Sequence, residues 1–449
     1  MIEKTNKNFF SVLLLFFWFF TSIMDKLKWS IFGWNCDLYT IVTGIVFLLL
    51  VITSNFKLVF TKEEHNFFIF YLFSFLYILI SYLFLDSEST FCIQHSKGLV
   101  SLAVEFLAFL NVLLFAGRIK GNRCLLLVNI FFIIGIINAT YSFLQLAVPD
   151  IDQVFVVVFH SDTVRIGTDP YGAFERVSGF LLEANFNGPF LVLSIICGVY
   201  LFKNIKINGI KKCVIPLLIG YLTVALILTF SRTAYLGFAV FILMLYIESS
   251  ITDKLKILVM IGLGMALFLI LLNANKDLYV VIMTRFRFLT GESTIKEDTH
   301  FKILQESFAI IFDNLRNVLF GVGQNCLYLY FRDIFGYTTV NMKAHSHFVQ
   351  ILGEGGIIGL IMFLIYLIML FKVKGTKNKK SFFRAMLISF IFMNLTYDPF
   401  TRAFTIIFIA LFVFIERDFK EEKENNYYER YNFSGGIGHT SLSAYQSNK

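Results

Sequence analysis

Long runs of apolar residues recur along almost the whole chain and constrain its fold more than any other feature. Of the 449 residues, 57% are hydrophobic and 16% are charged, and a soluble domain cannot keep that much apolar surface away from water. A run of roughly 20 apolar residues is long enough to cross a bilayer as a helix. Such windows fall at about 9–24, 38–56, 67–85, 99–116, 125–148, 186–202, 213–230, 233–248, 256–273, 348–371, 382–398 and 402–415. We therefore predict an all-α polytopic membrane protein with about twelve transmembrane helices.

Basic residues are distributed unevenly among the connections between these windows. Short cytoplasmic loops of membrane proteins are enriched in Lys and Arg. With a cytoplasmic N-terminus, the inner connections carry Lys57, Lys62, Arg118, Lys120, Arg123, Lys203, Lys206, Lys211, Lys212, Lys254, Lys256 and a basic cluster from Lys372 to Arg384. The short outer connections carry only Lys26, Lys28, Lys97, Arg232 and Arg402. The bias predicts that both termini are cytoplasmic. The net charge of +8 arises mostly from these short connections, so it reflects membrane topology and does not indicate nucleic-acid binding.

Two outer segments are too long to be simple connections. They divide the chain into a five-helix region (1–148), an entry loop (149–187), central helices (188–273), a large loop between the ninth and tenth helices (274–347), C-terminal helices (348–415) and a tail (416–449) predicted to be disordered and cytoplasmic. In the large loop, apolar residues recur at helical spacing and predict an amphipathic helix that lies on the membrane or against the bundle. These residues are Phe301, Leu304, Phe308, Ile311, Phe312 and Leu315.

Two histidines stand where the predicted helix 348–371 meets water on the outer side. They are His345 and His347. A neutral imidazole has a reference pKa near ~6.5 and can accept a proton from an attacking hydroxyl. The alternative is an ordinary polar helix start at the level of the lipid headgroups. Glu354 follows His345 by nine residues and would face roughly the opposite side of one continuous helix, so we expect Glu354 to be paired within the bundle.

An arginine in a tight outer hairpin needs an explanation, because basic residues are disfavoured on that side. Arg232 follows Ser231 in this hairpin. Either it contacts headgroup phosphates while Ser231 caps the next helix, or its planar guanidinium binds a diphosphate through two hydrogen bonds. Arg402 allows the same two interpretations, with Asp398 as the expected ion-pair partner.

Polar residues also cluster where the entry loop returns to the membrane. Arg176, Glu183, Asn185 and Asn187 lie within twelve positions of one another. They are typical of a polar loop in which Asn187 caps the next helix. They are equally suited to contact sugar hydroxyls and phosphates.

Two glycine motifs complete the pattern, Gly321-x-Gly323 before the histidines and Glu354-Gly-Gly356 after them. Together these motifs resemble the O-antigen polymerase and O-antigen ligase superfamily. Order and spacing match over roughly residues 170–370, whereas the first five helices carry no motif. Ser346 stands where the family usually has Asn, and His300 and Lys302 stand where an Arg commonly opens the loop helix, so no third arginine is assigned to the site. The matching residues are Arg176-x-x-Gly179-Phe180, Glu183-x-Asn185, Ser231-Arg232, Gly321-x-Gly323, His345-Ser-His-Phe348, Gln350, Glu354-Gly-Gly356 and Gly359.

The resemblance implies an inverting, metal-independent glycosyltransferase of GT-C-like fold that needs no cofactor. Its donor and acceptor would be undecaprenyl-diphosphate-linked glycans at the periplasmic face of a bacterial inner membrane. Further partners would be membrane lipids and a chain-length regulator protein, but not nucleic acid. The implied roles are diphosphate binding for Arg176 and Arg232, catalysis for His345, and substrate contact for Glu183, Asn185, His347 and Arg402.

Four functions remain open at this point, the fourth being a structural membrane scaffold, which would not need an outer-facing arginine. The Gly-Phe-x-x-Glu-x-Asn pattern of the entry loop favours a repeat-unit polymerase for O-antigen or capsule. The first alternative is an O-antigen ligase, which delivers finished glycan to lipid A core. The second, of another class, is a flippase or transporter of lipid-linked sugars, which predicts internal repeats and polar residues near the middle of the spans. Neither feature is evident in the sequence.

Overall fold

A computed structural model describes residues 2–31, 34–54, 58, 60–84, 89–148, 150–159, 176–204, 211–252, 299–337, 343–397 and 402–434, with a few single residues between 254 and 280. The described residues are largely helical. The elements in chain order are α1 (Ile2–Ser22), β1 (Lys28–Ile31), β2 (Trp34–Asp37), α2 (Leu38–Ser54), α3 (Lys62–Ser81), a 3-10 turn (Tyr82–Phe84), α4 (Ser89–Arg118), α5 (Arg123–Ala147), α6 (Gln153–Val157), α7 (Ala184–Asn204), α8 (Lys211–Leu228), α9 (Arg232–Glu248), α10 (Thr299–Ile311), α11 (Leu315–Phe320), α12 (Leu327–Phe335), α13 (His347–Phe371), α14 (Lys377–Thr396) and α15 (Arg402–Ser434).

Five of the described helices are long and apolar enough to cross a membrane. They are Lys62–Phe84, Thr90–Arg118, Arg123–Ala147, Ala184–Asn204 and His347–Phe371, and three shorter apolar helices accompany them at Asn8–Ser22, Leu38–Thr53 and Cys213–Leu228. The chain is therefore an α-helical membrane protein, as its apolar windows predict. The total of twelve spans stays a prediction, because the window 256–273 lies almost entirely outside the described residues.

Helix α7 lies at the centre of the bundle. Almost all of its residues are buried, from Ala184 to Leu201, and it packs against α5, α8 and α9. Helix α14 packs on α9, and α15 packs on α4 and α5. The N-terminus of α7 is therefore held at the meeting point of several helix ends.

Ion pairs join several helix ends on one side of the bundle. Asp418 of α15 lies 3.1 Å from the Lys379 ammonium and accepts a hydrogen bond from the backbone N–H of Cys124 at 3.1 Å. Arg417 holds the buried Glu64 carboxylate through two hydrogen bonds of 2.7 Å. These are the ends that the basic connections predict to share the cytoplasmic side.

The C-terminal segment differs from its sequence prediction. Disorder was expected from Glu416 onward, but α15 continues as a helix to Ser434. Glu416 and Asp418 are buried there at 5% and 4% exposure. The ion pairs to α3, α5 and α14 account for this, because they give the charged start of the segment partners within the bundle.

The large loop contains the expected amphipathic helix, but in two pieces. Asn314 separates α10 from α11. It caps α11, since its Oδ1 accepts a hydrogen bond from the N–H of Asn317 at 2.8 Å. The buried face of α10 includes Ile303, Ser307 and Ile310. Of the residues on the predicted apolar face, Phe308, Phe312 and Leu315 are exposed on the protein surface, at 37%, 64% and 72%. Helix α10 packs against α13, so the loop lies on the bundle.

Candidate active site

The end of the entry loop is fixed by two amide side chains of α5. Asn138 Oδ1 accepts a hydrogen bond from the N–H of Phe180 at 2.9 Å. Gln145 Oε1 accepts from the N–H groups of Ser178 and Gly179 at 3.1 and 2.9 Å. Gly179 has φ +61, and a Cβ there would lie 2.3 Å from Asn138 Oδ1. A glycine is therefore required at this close approach.

Asn187 belongs to the same support rather than to a helix cap. Helix α7 begins at Ala184, three residues earlier, and Asn187 is fully buried. Its Oδ1 accepts from Asn138 Nδ2 at 2.7 Å, and its Nδ2 donates to Ser142 Oγ at 3.1 Å. The expected capping role is wrong, and Asn187 instead joins α7 to α5.

Arg176 connects the entry loop to the hairpin that carries Arg232. Its Nε donates to the carbonyl oxygen of Thr229 at 2.9 Å, and its Nη2 donates to Asn185 Oδ1 at 2.6 Å. The guanidinium is half-buried and is thus oriented by two elements at once. Two of the residues singled out in the entry loop, Arg176 and Asn185, are in direct contact.

Arg232 is the first residue of α9 and is half-buried. Ser231 caps this helix, and its Oγ accepts a hydrogen bond from the N–H of Ala234 at 3.4 Å, as the hairpin interpretation expects. The next residue, Thr233, hydrogen-bonds with Thr396 of α14 at 3.2 Å. The hairpin therefore lies between the entry loop and the C-terminal end of α14.

His345 lies in a bend just before α13, not on the helix. Its φ is +54, which is a left-handed conformation. Residues other than glycine rarely adopt it, and His is one of those that adopt it more often than the rest. Helix α13 starts at His347, with Ser346 at the cap position. The prediction that Glu354 faces the side opposite His345 assumed one continuous helix. That assumption is wrong, because His345 precedes the helix that contains Glu354.

Gln350 and Glu354 support the bend that contains His345. Gln350 Nε2 donates to Glu354 Oε1 at 2.7 Å, and Gln350 Oε1 accepts from the N–H of Ala344 at 2.8 Å. Glu354 is thus paired within the bundle, as expected, and acts on the residue next to His345. Ser346 Oγ also donates to the carbonyl oxygen of Asn394 on α14, at 3.5 Å.

The two glycine motifs contact each other. The N–H groups of Val322 and Gly323 donate to the carbonyl oxygens of Gly353 and Glu354 at 2.9 and 3.0 Å. Gly356 interrupts α13 with φ +60 and ψ −166, where a Cβ would lie 2.3 Å from the carbonyl oxygen of Leu319. Backbone therefore packs directly on backbone, and this contact attaches the loop helices to α13.

Tyr397 brings the entry loop and His345 together at the end of α14. Its hydroxyl donates to Glu183 Oε2 at 2.9 Å, and its ring centroid lies 5.9 Å from that of His345. Phe186 packs on Tyr397 at 5.8 Å, and the Lys343 ammonium lies over the Phe186 ring at 5.6 Å. A carboxylate and an imidazole thereby contact the same tyrosine, and the Lys343 ammonium lies on the phenylalanine that packs against it.

Two further sequence candidates are less closely joined to this cluster. The His347 ring packs edge-on against Phe363 at 5.0 Å, so it is held against the part of α13 that follows the break at Gly356. Arg402 begins α15, and Asp398 lies outside the described residues.

Sequence reasoning missed several residues of this region. Tyr397 and Lys343 were passed over although each adjoins a motif, and the α5 amides Asn138 and Gln145 lie two helical turns apart in an apolar helix. An Asp-x-Asp sequence, Asp150-Ile151-Asp152, also opens the entry loop. The Asp152 carboxylate is engaged by the Lys26 ammonium at 2.6 Å.

Comparison with known proteins bears on the stretch that holds most of this cluster. Residues 217–364 match a family described as O-antigen ligase. The match includes the Arg232 hairpin, the Gly321-x-Gly323 turn and the His345 bend, while Arg176 and Glu183 precede it. No curated protein matches the chain significantly. The match over residues 217–364 supports the resemblance of the motifs to the O-antigen polymerase and ligase superfamily.

Proposed function

We propose that this protein is a glycosyltransferase that polymerises O-antigen or capsular repeat units. It moves the growing glycan from undecaprenyl diphosphate to the non-reducing end of the next carrier-linked unit. The observation that carries this proposal is the contact of Tyr397 with both Glu183 and His345. Glu183 and His345 were selected from the sequence by their chemistry and lie more than 150 positions apart. Tyr397 makes them neighbours in the structure.

The proposed reaction is a single inverting displacement. The acceptor hydroxyl attacks the anomeric carbon of the donor, and its proton passes to the imidazole of His345. The bond between that carbon and the diphosphate oxygen breaks as the new glycosidic bond forms on the opposite face. Negative charge develops on the departing undecaprenyl diphosphate, and Arg176 and Arg232 stabilise it, because guanidinium groups hydrogen-bond phosphate oxygens in pairs.

The remaining candidates contact sugars in this proposal. Glu183 and Asn185 are half-buried at the N-terminus of α7, where a carboxylate and an amide can hydrogen-bond sugar hydroxyls. His347 and Arg402 would contact substrate further from the reacting carbon. The active site faces the periplasm of the bacterial inner membrane in a GT-C-like bundle of about twelve spans. A chain-length regulator protein is an additional proposed partner.

O-antigen ligase is the second candidate, because the matching family carries that description and covers both activities. Both activities use the same donor and the same displacement, and they differ in the acceptor. A deletion strain separates them through its lipopolysaccharide. Loss of a polymerase leaves single repeat units on the core. Loss of a ligase leaves the core bare while carrier-linked polymer accumulates.

A further inference from the structure

A buried ion pair lies behind the entry loop, in the part of the chain that carries no family motif. Lys26 follows α1 and is fully buried, and its ammonium lies 2.6 Å from Asp152 Oδ2. The Tyr141 hydroxyl donates to Asp152 Oδ1 at 2.7 Å. Burial lowers the pKa of Lys26 to about 8, although Asp152 raises it in part. Burying two charges costs desolvation free energy that can exceed the attraction between them, so stability alone does not explain this pair.

Gln145 connects this pair to the entry loop. Its Nε2 donates to the Asp152 oxygens at 3.1 and 2.9 Å. Its Oε1 accepts from the N–H groups of Ser178 and Gly179. An amide has one donor side and one acceptor side, so an ionised Asp152, which only accepts, holds Nε2 and leaves Oε1 for the N–H groups of the loop. Nε2 also lies 3.2 Å from Ser178 Oγ and 3.5 Å from the carbonyl oxygen of Gly179, so the amide contacts the loop through both of its sides.

The backbone fixed in this way carries the residues of the site. Ser178 and Gly179 lie two and three positions after Arg176, and Glu183 follows four positions later. Tyr141 also stacks on Phe180, with ring centroids 4.2 Å apart. Without the Lys26 ammonium, Asp152 would be a buried carboxylate lacking its counter-charge and would favour its neutral form. A protonated Asp152 no longer presents acceptors alone to Gln145.

We infer that Lys26 and Asp152 are positioning residues for glycan transfer. They hold Gln145 in one orientation, and Gln145 holds the entry loop so that Arg176 meets the donor diphosphate and Glu183 meets Tyr397. The inference rests on the proposed function for its kinetic consequence. Its structural consequence, the order of residues 176–183, can be measured without any substrate.

The structural test is hydrogen exchange on the purified full-length protein in detergent. Gln145→Met should speed exchange in peptides covering 176–183 by at least about tenfold, because the N–H groups of Ser178 and Gly179 lose their acceptor. Lys26→Met should have an effect of similar size, because Asp152 without its counter-charge no longer holds Gln145 in one orientation. Exchange within α7 should stay unchanged. If Lys26→Met fails to fold, Gln145→Met tests the same contact with the ion pair intact. Unchanged exchange at 176–183 in a folded variant would overturn the inference.

The kinetic test is a double-mutant cycle with a matched control. Lys26→Met should lower kcat/KM for a carrier-linked repeat unit by roughly tenfold, mostly through KM. In the Gln145→Met background, Lys26→Met should lower kcat/KM by less than about twofold. Lys26 acts on the entry loop through Gln145, so its effect disappears once Gln145 is replaced. Losses that multiply would show independent action and overturn the inference.

Lys379→Met supplies the control, since it removes one of the two cations, Lys379 and Arg123, that pair with the buried Asp418 at the other end of the bundle. It should reduce thermal stability while leaving kcat/KM per folded molecule unchanged. A kcat/KM loss as large as that of Lys26→Met would make the effect general destabilisation and would contradict positioning. If the wild-type protein transfers no glycan at all, the proposed function fails. The exchange experiment still decides the inference in that case.

Discussion

His345 owes its position to a backbone conformation that the sequence pattern does not reveal. The φ of +54 turns the chain just before α13, so His345 points toward Tyr397 while His347 packs on Phe363. On one continuous helix, residues two positions apart would also diverge, by about 200°. The two histidines are separated because only His347 is helical.

This separation predicts unequal effects for the two histidines. His345→Ala should remove on the order of 10²–10⁴ of the transfer rate, the usual contribution of a general base, whereas His347→Ala should leave most of it. The measurement is the glycan chain-length distribution on gels, at matched expression of both variants. A dead His347→Ala beside an active His345→Ala would reverse the assignment. Full activity in both would leave catalysis to positioning and arginine electrostatics.

Arg232 tests the diphosphate role at a single residue. Arg232→Lys keeps the charge but loses the planar fork, so activity should fall at least about tenfold, or roughly 1.4 kcal/mol of barrier. Arg118→Lys is the matched control, because Arg118 lies at the other end of the bundle, where it donates to the carbonyl oxygen of Leu50 at 3.1 Å. Normal turnover by the Arg232→Lys protein would identify this residue as a headgroup anchor.

Local chemistry identifies some site residues, and long-range contacts identify the rest. Arg176, Glu183, Asn185 and His345 stand out by type and by their place at helix ends. Tyr397 does not, because its partner Glu183 lies 214 positions away and no local spacing encodes that distance. The capping role expected for Asn187 failed for the same reason, since its amide partner Asn138 belongs to another helix.

The break in α13 is the element on which the large loop depends. Gly356 combines φ +60 with ψ −166, a region that essentially only glycine occupies. The Glu-x-Gly motif therefore has a structural meaning that the sequence alone does not show. It provides the bare backbone on which Gly321 and Gly323 pack.

A matched pair of glycine substitutions tests this interpretation. Gly356→Ala should destabilise the protein by about 1–3 kcal/mol, from backbone strain and from the clash with the carbonyl oxygen of Leu319. Gly359→Ala, one turn further along α13, meets its nearest neighbour at an ordinary 3.7 Å and should be close to neutral. Thermal unfolding in detergent compares the two. Equal melting temperatures for both variants would contradict a specific role for the break.

Helical periodicity predicts the existence of elements better than it predicts their faces. The apolar spacing from Phe301 to Leu315 does mark a helix in the large loop, but that spacing assumes one continuous helix. The Asn314 cap restarts the helix at Leu315, so residues from the two pieces do not share a single face. The charged start of the tail likewise suggested disorder, because its partners on α3, α5 and α14 cannot be identified from composition.

Across the whole molecule, polar contacts collect at the two ends of the bundle. One end holds the ion pairs around Asp418 and Glu64, and the other holds the Lys26–Asp152 pair and the Tyr397 cluster. The basic connections predict that the first end is cytoplasmic. The helix ends that carry the basic connections are also the ends that carry the ion pairs around Asp418 and Glu64.

Reporter fusions test which end faces which compartment. A reporter joined after residue 300 should be active in the periplasm, and one joined after residue 376 should be active in the cytoplasm, because the basic cluster from Lys372 to Arg384 opposes translocation. Expression of both fusions must be verified by immunoblot. A cytoplasmic signal from the fusion at residue 300 would reverse the orientation and remove the proposed site from the periplasm.

The central claim is that this bundle transfers glycan from a lipid diphosphate by a single inverting displacement. The most direct test incubates the purified protein with undecaprenyl-diphosphate-linked repeat units, then determines product length by mass spectrometry and the new linkage by NMR. The account predicts longer carrier-linked glycans, one undecaprenyl diphosphate released for each bond formed, and an anomeric configuration opposite to that of the donor. A product of unchanged length, or a linkage that keeps the donor configuration, would contradict it.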